Sequence, residues 1–394
     1  MCKMEKFLKA SKEALGDLGK CRKVRVVMGN QTCDLDSAVC ALAKGLAEYR
    51  EQQKKNRKEV ATIPLMNIPQ KEFRVKTEVV YYLQRHGLHE NLLTFRDQID
   101  LGRVSSEGKL ELILVDHHVL VDEDELLASS VVEIIDHRPQ DDQWPWEGRT
   151  IHLQTVGSCA TLVAFHLLRN QPEILDTQLC SLLRGPILAD TYNLSKKVDR
   201  ATPLDYEMIE KLEKLGNLKA VDRDETYKDI LNAKTDISCL TTYDLLIRDL
   251  KETNGVPIAV FPMLVEEFLG MDDWSSSLRN FTKEKNAQLV ILIGLELRND
   301  RVTRDIAVFS LSSNELENKV IQALTSSSQP SLDLTLTKQI KEEDPEGGYS
   351  LSCFQQRNLS ATRKQILPIV RAVTAEFCQC QKFDKASMQS SKDE

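Results

Sequence analysis

The chain has 394 residues, with 52 Lys and Arg against 60 Asp and Glu for a formal net charge of −8, and is 41% hydrophobic, 28% charged and 6% aromatic. That length exceeds one comfortable core and suits two ordinary domains, and the composition excludes disorder over most of it. The acidic balance argues against a nucleic-acid coat, because phosphate-neutralising surfaces are basic overall, and no apolar run is long enough to span a membrane.

Taken in chain order, the opening MCKMEKFLKASKEALGD has the spacing of an amphipathic helix rather than of a secretory signal. Strand-length apolar runs follow at residues 23–29 (KVRVVMG), 61–68 (ATIPLMNI), 92–95 (LLTF), 110–116 (LELILVD), 131–137 (VVEIIDH) and 185–191 (GPILADT). Most are unbroken rather than alternating, which suits strands covered on both faces. Between the first two, residues 37–54 place Val39, Leu42, Ala43, Leu46 and Ala47 on one helical side. An open parallel sheet with helices on its faces is expected. From 191 to 226 the pattern turns to charged helical stretches such as LDYEMIEKLEKLG, read as a connector. Beyond it LTTYDLLIRDLKE reads as helix, VPIAVFPM, AQLVILIGLEL and RDIAVFSL as strands, and RKQILPIVRAVTAEF as a helix interrupted near its start by Pro368. The expected fold class is α/β, with a parallel-sheet domain over 1–195, a helical linker over 196–225, a smaller α/β domain over 226–382 and a polar tail over 383–394. The cysteines show no zinc-type pairing and read as reduced cytosolic thiols, Cys378 and Cys380 as a lone C-x-C.

Asp116, Asp136 and Asp190 stand at the ends of expected strands, and Asp34 and Asp36 follow the end of the first. In open α/β sheets that edge binds ligands. Four carboxylates there, Asp34, Asp36, Asp116 and Asp190, cannot all stay ionised without compensation. Two divalent cations would cancel their formal charge, with Asp34 and Asp36 each reaching one metal and Asp116 shared between them. Three of the seven histidines fall in the motifs VDHH (Asp116, His117, His118) and IDHR (Asp136, His137, Arg138). A mixed His/Asp shell suits Mn²⁺, Mg²⁺ or Co²⁺ better than structural zinc. Two metals about 3.5–4 Å apart clamp the oxygens of an in-line phosphoryl displacement, so hydrolysis of a phosphate bond is the expected reaction. Arg138 as a fork, the helix start at Gly157-Ser158, and the pair Arg363 and Lys364 fit an anionic substrate. Any one of the aspartates alone reads as a cap or turn residue, with Asp36 or Ser37 capping the helix that begins at 37. Their shared edge favours a site. His86, His89, His152 and His166 lack acidic companions at useful spacing and read as core or surface residues.

GNQTCDLDS, LVDHH, IIDHRP, VGSCAT and ILADT, in this order, resemble the successive motifs of the DHH phosphoesterase superfamily in its prune exopolyphosphatase branch. LTTYDLLIRD and RKQILP resemble the DHHA2-type second domain shared with family II inorganic pyrophosphatases, so that the resemblance runs from about residue 20 to 380. It implies an active site in the cleft between the two domains. Asp34 would hold the first metal and Asp36 the second, with Asn30 where the pyrophosphatases carry a histidine ligand and the first metal therefore held more weakly. Asp116 matches the bridging aspartate, and His137 and Asp190 the remaining ligands of the second metal. Arg138 replaces a phosphate-contacting histidine, His117 and His118 would sit near the attacking water and substrate, with His118 as general acid, and Ser158, Arg363 and Lys364 would bind substrate. The implied activity is cleavage of short-chain polyphosphates, with cyclic nucleotide phosphodiesterase activity at the same site as the alternative. Nucleoside diphosphate kinase is a partner the resemblance implies, through a C-terminal extension this chain nearly lacks. Two further readings compete: an interaction protein on a retired scaffold, opposed by the intact acidic ligands, and a nuclease, opposed by the acidic balance.

Overall fold

Unbroken apolar strands need cover on both faces, and in the computed structural model the first of two units, Met1–Asp236, supplies it; the second is Ile237–Glu394. The structure describes residues 3–57, 59–144, 146–298, 301–311, 315–343 and 348–390, with side chains described as far as residue 377.

The first unit holds strands β1 (Lys23–Met28), β2 (Val60–Met66), β3 (Thr94–Phe95), β4 (Leu110–Val115), β5 (Val131–Asp136) and β6 (Thr150–Leu153). They form one sheet in the order β3-β2-β1-β4-β5-β6, with every neighbouring pair parallel. Its helices are α1 (Lys3–Leu15), α2 (Leu35–Lys54), α3 (Thr77–Arg85), α4 (Leu101–Ser106), α5 (Cys159–Asn170), α6 (Thr177–Asp190), α7 (Pro203–Gly216) and α8 (Arg223–Thr235). Alternate strand residues feed two cores. Val27, Ile113, Val115 and Ile135 pack with α1, α2, α5, α6 and α7, while Val26, Met28, Leu112, Leu114 and Ile134 pack on the other face with Leu101 and Val104 of α4.

Of residues 185–191, expected as a strand, 185–190 belong to α6 instead and Thr191 is its C-cap. Leu179, Leu182, Leu183, Ile187 and Leu188 are all buried, and a helix buried on every side shows the same unbroken apolar run as a buried strand. Its Gly185-Pro186 is not a turn signal: a Cβ at 185 would lie 2.3 Å from the ring of Tyr82, whose hydroxyl donates to Ser181 O at 2.6 Å. The short β6 escapes the sequence reading, and the run at 92–95 contributes only the two residues of β3. In the expected linker, α7 buries Met208, Ile209 and Leu212 fully, so this helix is part of the first unit, whose boundary falls after Asp236.

The second unit holds α9 (Thr242–Arg248), β7 (Leu250–Thr253), β8 (Val256–Phe261), α10 (Val265–Phe268), α11 (Trp274–Glu284), β9 (Leu289–Arg298), β10 (Arg301–Ser310), α12 (Glu315–Ser326), β11 (Leu334–Glu342), β12 (Tyr349–Gln356) and α13 (Arg363–Ser390). Its sheet runs β11-β12-β10-β9-β8-β7 and is antiparallel except where β8 meets β9. Phe261, Phe268, Phe281 and Phe309 fill one face, and Ile258, Ile291, Val308, Val320 and Ile366 the other. The expected helix at 240–252 stops at Arg248 and gives way to β7. The last helix runs unbroken past Pro368 and through most of the expected tail to Ser390; residues 391–394 and the side chains of Cys378 and Cys380 lie outside the described residues. Among the described residues no helix is long and apolar enough to cross a membrane.

Candidate metal centre

The strand order reverses between β1 and β4. At such a switch point the loops leaving the two strands diverge and open a crevice at the carboxyl edge. Asp34 and Asp36 follow β1, and Asp116 follows β4.

The loop after β1 can approach α2 because residue 29 is glycine: a Cβ there would lie 2.7 Å from Cβ of Ser37. Asp34 then caps α2, its Oδ1 accepting the Ser37 N–H at 3.0 Å, an interaction of about 1 kcal/mol. Asp36, only 4% exposed, is held by a different helix. Its Oδ2 accepts the Cys159 N–H at 2.6 Å, its Oδ1 the Ala160 N–H at 2.8 Å, and Cys40 Sγ lies 3.3 Å from Oδ1. The positive end of α5 therefore fixes the carboxylate. Asp116 adopts φ +60°, a left-handed conformation that disfavours a side chain by roughly 1–2 kcal/mol. Its Oδ2 accepts from Ser37 Oγ at 2.6 Å and from Asn30 Nδ2 at 2.8 Å. Its Oδ1 lies 3.3 Å from His137 Nε2 and 3.0 Å from Arg138 Nη1. His137 Nδ1 donates to Val156 O at 3.0 Å, which turns Nε2 towards the carboxylates.

One ligand atom each from Asp36, Asp116 and His137 lies within 4.8 Å of the others, so the three donors face one small volume that a divalent cation could occupy. The electrostatics say what the cluster lacks. Burial, then the charges of Asp116 and Asp190, push Asp36 well above the usual carboxylate range. Burial and Asp116 raise Asp34, and burial with the charges of Asp34 and Asp116 pushes Asp190 up to about 7 against the opposing hydroxyl of Ser158. Burial works against the charge of Asp116 too, but the His137 hydrogen bond and Arg138 outweigh it and hold that carboxyl low. For His137 burial favours the neutral ring, yet the Asp116 hydrogen bond and the charge of Asp36 push it up to about 9. Carboxylates raised by mutual repulsion around an imidazole raised by them form a site short of positive charge. Oxygen and imidazole donors fit a hard or borderline divalent cation such as Mn²⁺ or Mg²⁺.

Asp190 stands at the carboxyl end of α6 and not on a strand; it is not one of the three clustered ligands, and its charge acts on Asp36. Asn30 enters the cluster as a hydrogen-bond donor to Asp116 Oδ2, while its Oδ1 accepts the Thr32 N–H at 2.9 Å and the Thr32 hydroxyl at 2.5 Å. His118 does not have the freedom expected of a general acid. It is 3% exposed, its Nδ1 bonds Asp136 Oδ2 at 2.5 Å and its Nε2 accepts the Asp141 N–H at 2.9 Å, so both nitrogens serve the fold. His117 has Nδ1 on Val115 O at 3.0 Å. Arg138 anchors Nη1 on the main-chain oxygen of Asp116 and, at 3.0 Å, on Asp136 Oδ1, with its side chain 45% exposed. Ser158 is the fully buried N-cap residue of α5. Arg363 and Lys364 lie in the first turn of α13 in the second unit, where Arg363 Nη1 donates to Asp249 O at 2.9 Å and to Oδ1 at 2.8 Å.

The sequence reading assigned no site role to four residues. Ser37 holds Asp116, and the amides of Cys159 and Ala160 hold Asp36. Asp136, 0% exposed, gathers the N–H groups of His137 at 2.7 Å and Arg138 at 3.3 Å on Oδ1 and so shapes the turn that carries both. Only Asp136 had a signal, its place inside the IDHR motif.

Residues 228–373 match the DHHA2 domain family. Over 381 residues the chain is 36% identical to exopolyphosphatase PRUNE1 of Bos taurus, which covers 95% of this chain and 80% of that relative. A manganese-dependent inorganic pyrophosphatase of Methanothrix thermoacetophila is 29% identical over 190 residues, 46% of this chain and 59% of its own length. The crystal structure of a Methanococcus jannaschii putative family II inorganic pyrophosphatase aligns with 89% of this chain and 99% of its own at a TM-score of 0.45 and 21% identity. With more than a third of its residues shared with a prune protein across nearly its whole length, the chain belongs to the prune exopolyphosphatase family.

Proposed function

We propose that this chain is a divalent-metal-dependent phosphohydrolase that cleaves the phosphoanhydride bonds of short-chain polyphosphates at the centre built by Asp36, Asp116 and His137. The convergence of those three ligand atoms at the switch point of the sheet, in a family whose members are named exopolyphosphatase, carries the reading. A manganese-dependent pyrophosphatase among the relatives agrees with it. In this reading Asp36, Asp116, His137 and Asp190, together with Asp34, would hold two cations, Mn²⁺ or Mg²⁺.

When bound, such ions supply an acidified water and neutralise charge on the phosphate oxygens of an in-line displacement. The residues of the chain do the rest. Asp36 and Asp116 are pre-fixed by amide and hydroxyl donors and need no reorganisation. Arg138, anchored by one nitrogen, leaves the remainder of its fork for phosphate oxygens. His117, with Nδ1 held on Val115 O, keeps Nε2 as the proton-accepting face of a neutral ring. The cytoplasm is its proposed location, consistent with free thiols at Cys33, Cys40, Cys159 and Cys180.

The test is phosphate release with Mn²⁺ or Mg²⁺ from pyrophosphate, tripolyphosphate, tetrapolyphosphate, long-chain polyphosphate and cyclic AMP. Turnover is expected to peak on the tri- and tetrapolyphosphates. Asp116→Asn should lower it by at least about 100-fold, a loss of the several kcal/mol that ion-held charge supplies, while circular dichroism stays unchanged. Parent-like rates in that variant, or turnover of cyclic AMP alone, would overturn the reading.

A further inference from the structure

Asp205 is 0% exposed, although its position in the third residue of α7 needs only a helix cap. Its Oδ2 accepts the Thr202 N–H at 2.6 Å and Thr202 Oγ1 at 2.7 Å, which is the ordinary capping box of that helix. The other bonds leave the helix altogether. Oδ2 also accepts the Gly157 N–H at 2.9 Å, and Oδ1 accepts Thr161 Oγ1 at 2.5 Å. Gly157 and Thr161 bracket the first turn of α5, the turn whose Cys159 and Ala160 amides grip Asp36.

The same clamp reaches the chain next to Asp190. Gly157 lies against residues 191–200 so closely that a Cβ there would be 2.4 Å from Thr191 Cγ2 and 3.2 Å from Arg200 O. Thr191 is tied in turn through Oγ1 to Ile187 O at 2.6 Å in α6. One buried carboxylate thus joins the segment that aims Asp36 to the segment that begins after Asp190. A capping role accounts for two of its four hydrogen bonds. The remaining two bury a charge against a separate helix, which is favourable only where both partners stay in place.

We propose that Asp205 is a positioning residue of the metal centre: by clamping the first turn of α5 against residues 191–202 it sets the amides that hold Asp36 and the placement of Asp190. This rests on the reading that Asp36 and Asp190 hold a cation. Asn at 205 keeps the size but presents an NH₂ group to one set of donors, so it loses either the Thr161 bond or the Gly157 and Thr202 bonds.

The test uses the full chain, Mn²⁺ titration by calorimetry, and thermal unfolding without metal. Thr161→Val removes the donor at nearly constant volume, and Thr161→Ser keeps it. Asp205→Asn and Thr161→Val are each expected to weaken Mn²⁺ binding by about 10-fold, in the range for groups that orient metal ligands, with Thr161→Ser within about twofold of the parent. Polyphosphate hydrolysis in both weakened variants should recover as Mn²⁺ is raised. A lower Tm with unchanged Mn²⁺ affinity in Asp205→Asn and Thr161→Val would mark a purely structural residue and overturn the proposal. If Asp205→Asn does not fold, the Thr161 pair decides alone. A parent chain that binds no Mn²⁺ would remove the metal reading itself, and this one with it.

Discussion

His118, two residues after Asp116, and His137, next to Asp136, stand in similar-looking motifs, yet their surroundings assign them opposite work. His137 has one nitrogen anchored and the other turned to Asp116 and Asp36. His118 has both nitrogens consumed, one by Asp136 and one by the Asp141 amide, while its carbonyl accepts Trp146 Nε1 at 2.8 Å. His118→Phe should therefore leave polyphosphate hydrolysis within about tenfold of the parent, short of the loss expected for a general acid. It should cost about 1–3 kcal/mol of stability for the buried partners left unpaired, read as a Tm lower by roughly 2–4 °C per kcal/mol in a unit of this size. A much larger loss of turnover at unchanged Tm would return His118 to the chemistry. The aspartates show that cap and ligand are not alternatives. Asp34 caps α2 and carries a carboxyl raised by Asp116. The capping bond fixes the direction in which the second oxygen points.

At the scale of elements, what the sequence disclosed follows from what periodicity can report. The parallel sheet was legible because each central strand is apolar on both faces, as the two cores require. The convergence of Asp36, Asp116 and His137 was legible because a parallel sheet brings residues that follow its strands to one edge. Helix α6 was not, since a helix with apolar cover all round has no polar stripe to reveal its period. β6 alternates polar and apolar residues over only four positions, and β11 is polar at most of its positions, so neither gave an apolar run. The amides of Cys159 and Ala160 were hidden for another reason: a backbone donor has no residue identity. Asp205 did have a signal, T-x-x-D after a proline-led helix start, but that pattern announces a cap and not a clamp on another helix. Gly185 in α6 makes the packing argument testable. On helix propensity alone, Gly185→Ala should gain about 1 kcal/mol. The new Cβ would lie 2.3 Å from a Tyr82 ring that is 2% exposed and cannot swing aside, so overpacking of about 1–3 kcal/mol wins. The expected result is a lower midpoint in urea, and a raised midpoint would show that the ring moves freely.

For the molecule as a whole, helix α5 links the metal centre to a charged layer on the far side of the same helix. Lys44 of α2 pairs with Glu48 at 2.7 Å and with Glu133 of β5 at 2.9 Å, and His152 of β6 lies 3.8 Å from Glu133. The His152 ring stands 4.1 Å, centre to centre, from His166 of α5. Burial, then His152, Lys44 and Arg169, push His166 down to about 4, and burial with Lys44 lowers His152 against the pull of Glu133. The folded chain thus resists protonating His166, whereas the unfolded chain takes the proton near pH 6.5. Between those values the unfolded state binds more protons, so this contribution to stability is complete above pH 6.5 and is lost as pH falls towards 4. Carboxylates of the metal centre titrate in the same range, but they do so equally in parent and variant and cancel in the difference. His166→Gln removes one of the two imidazoles. Its Tm should fall less than the parent's between pH 7.5 and pH 5, by calorimetry at constant ionic strength. Equal falls in the two chains would place the acid sensitivity elsewhere; a smaller fall in the variant ties it to the helix whose other end holds Asp36.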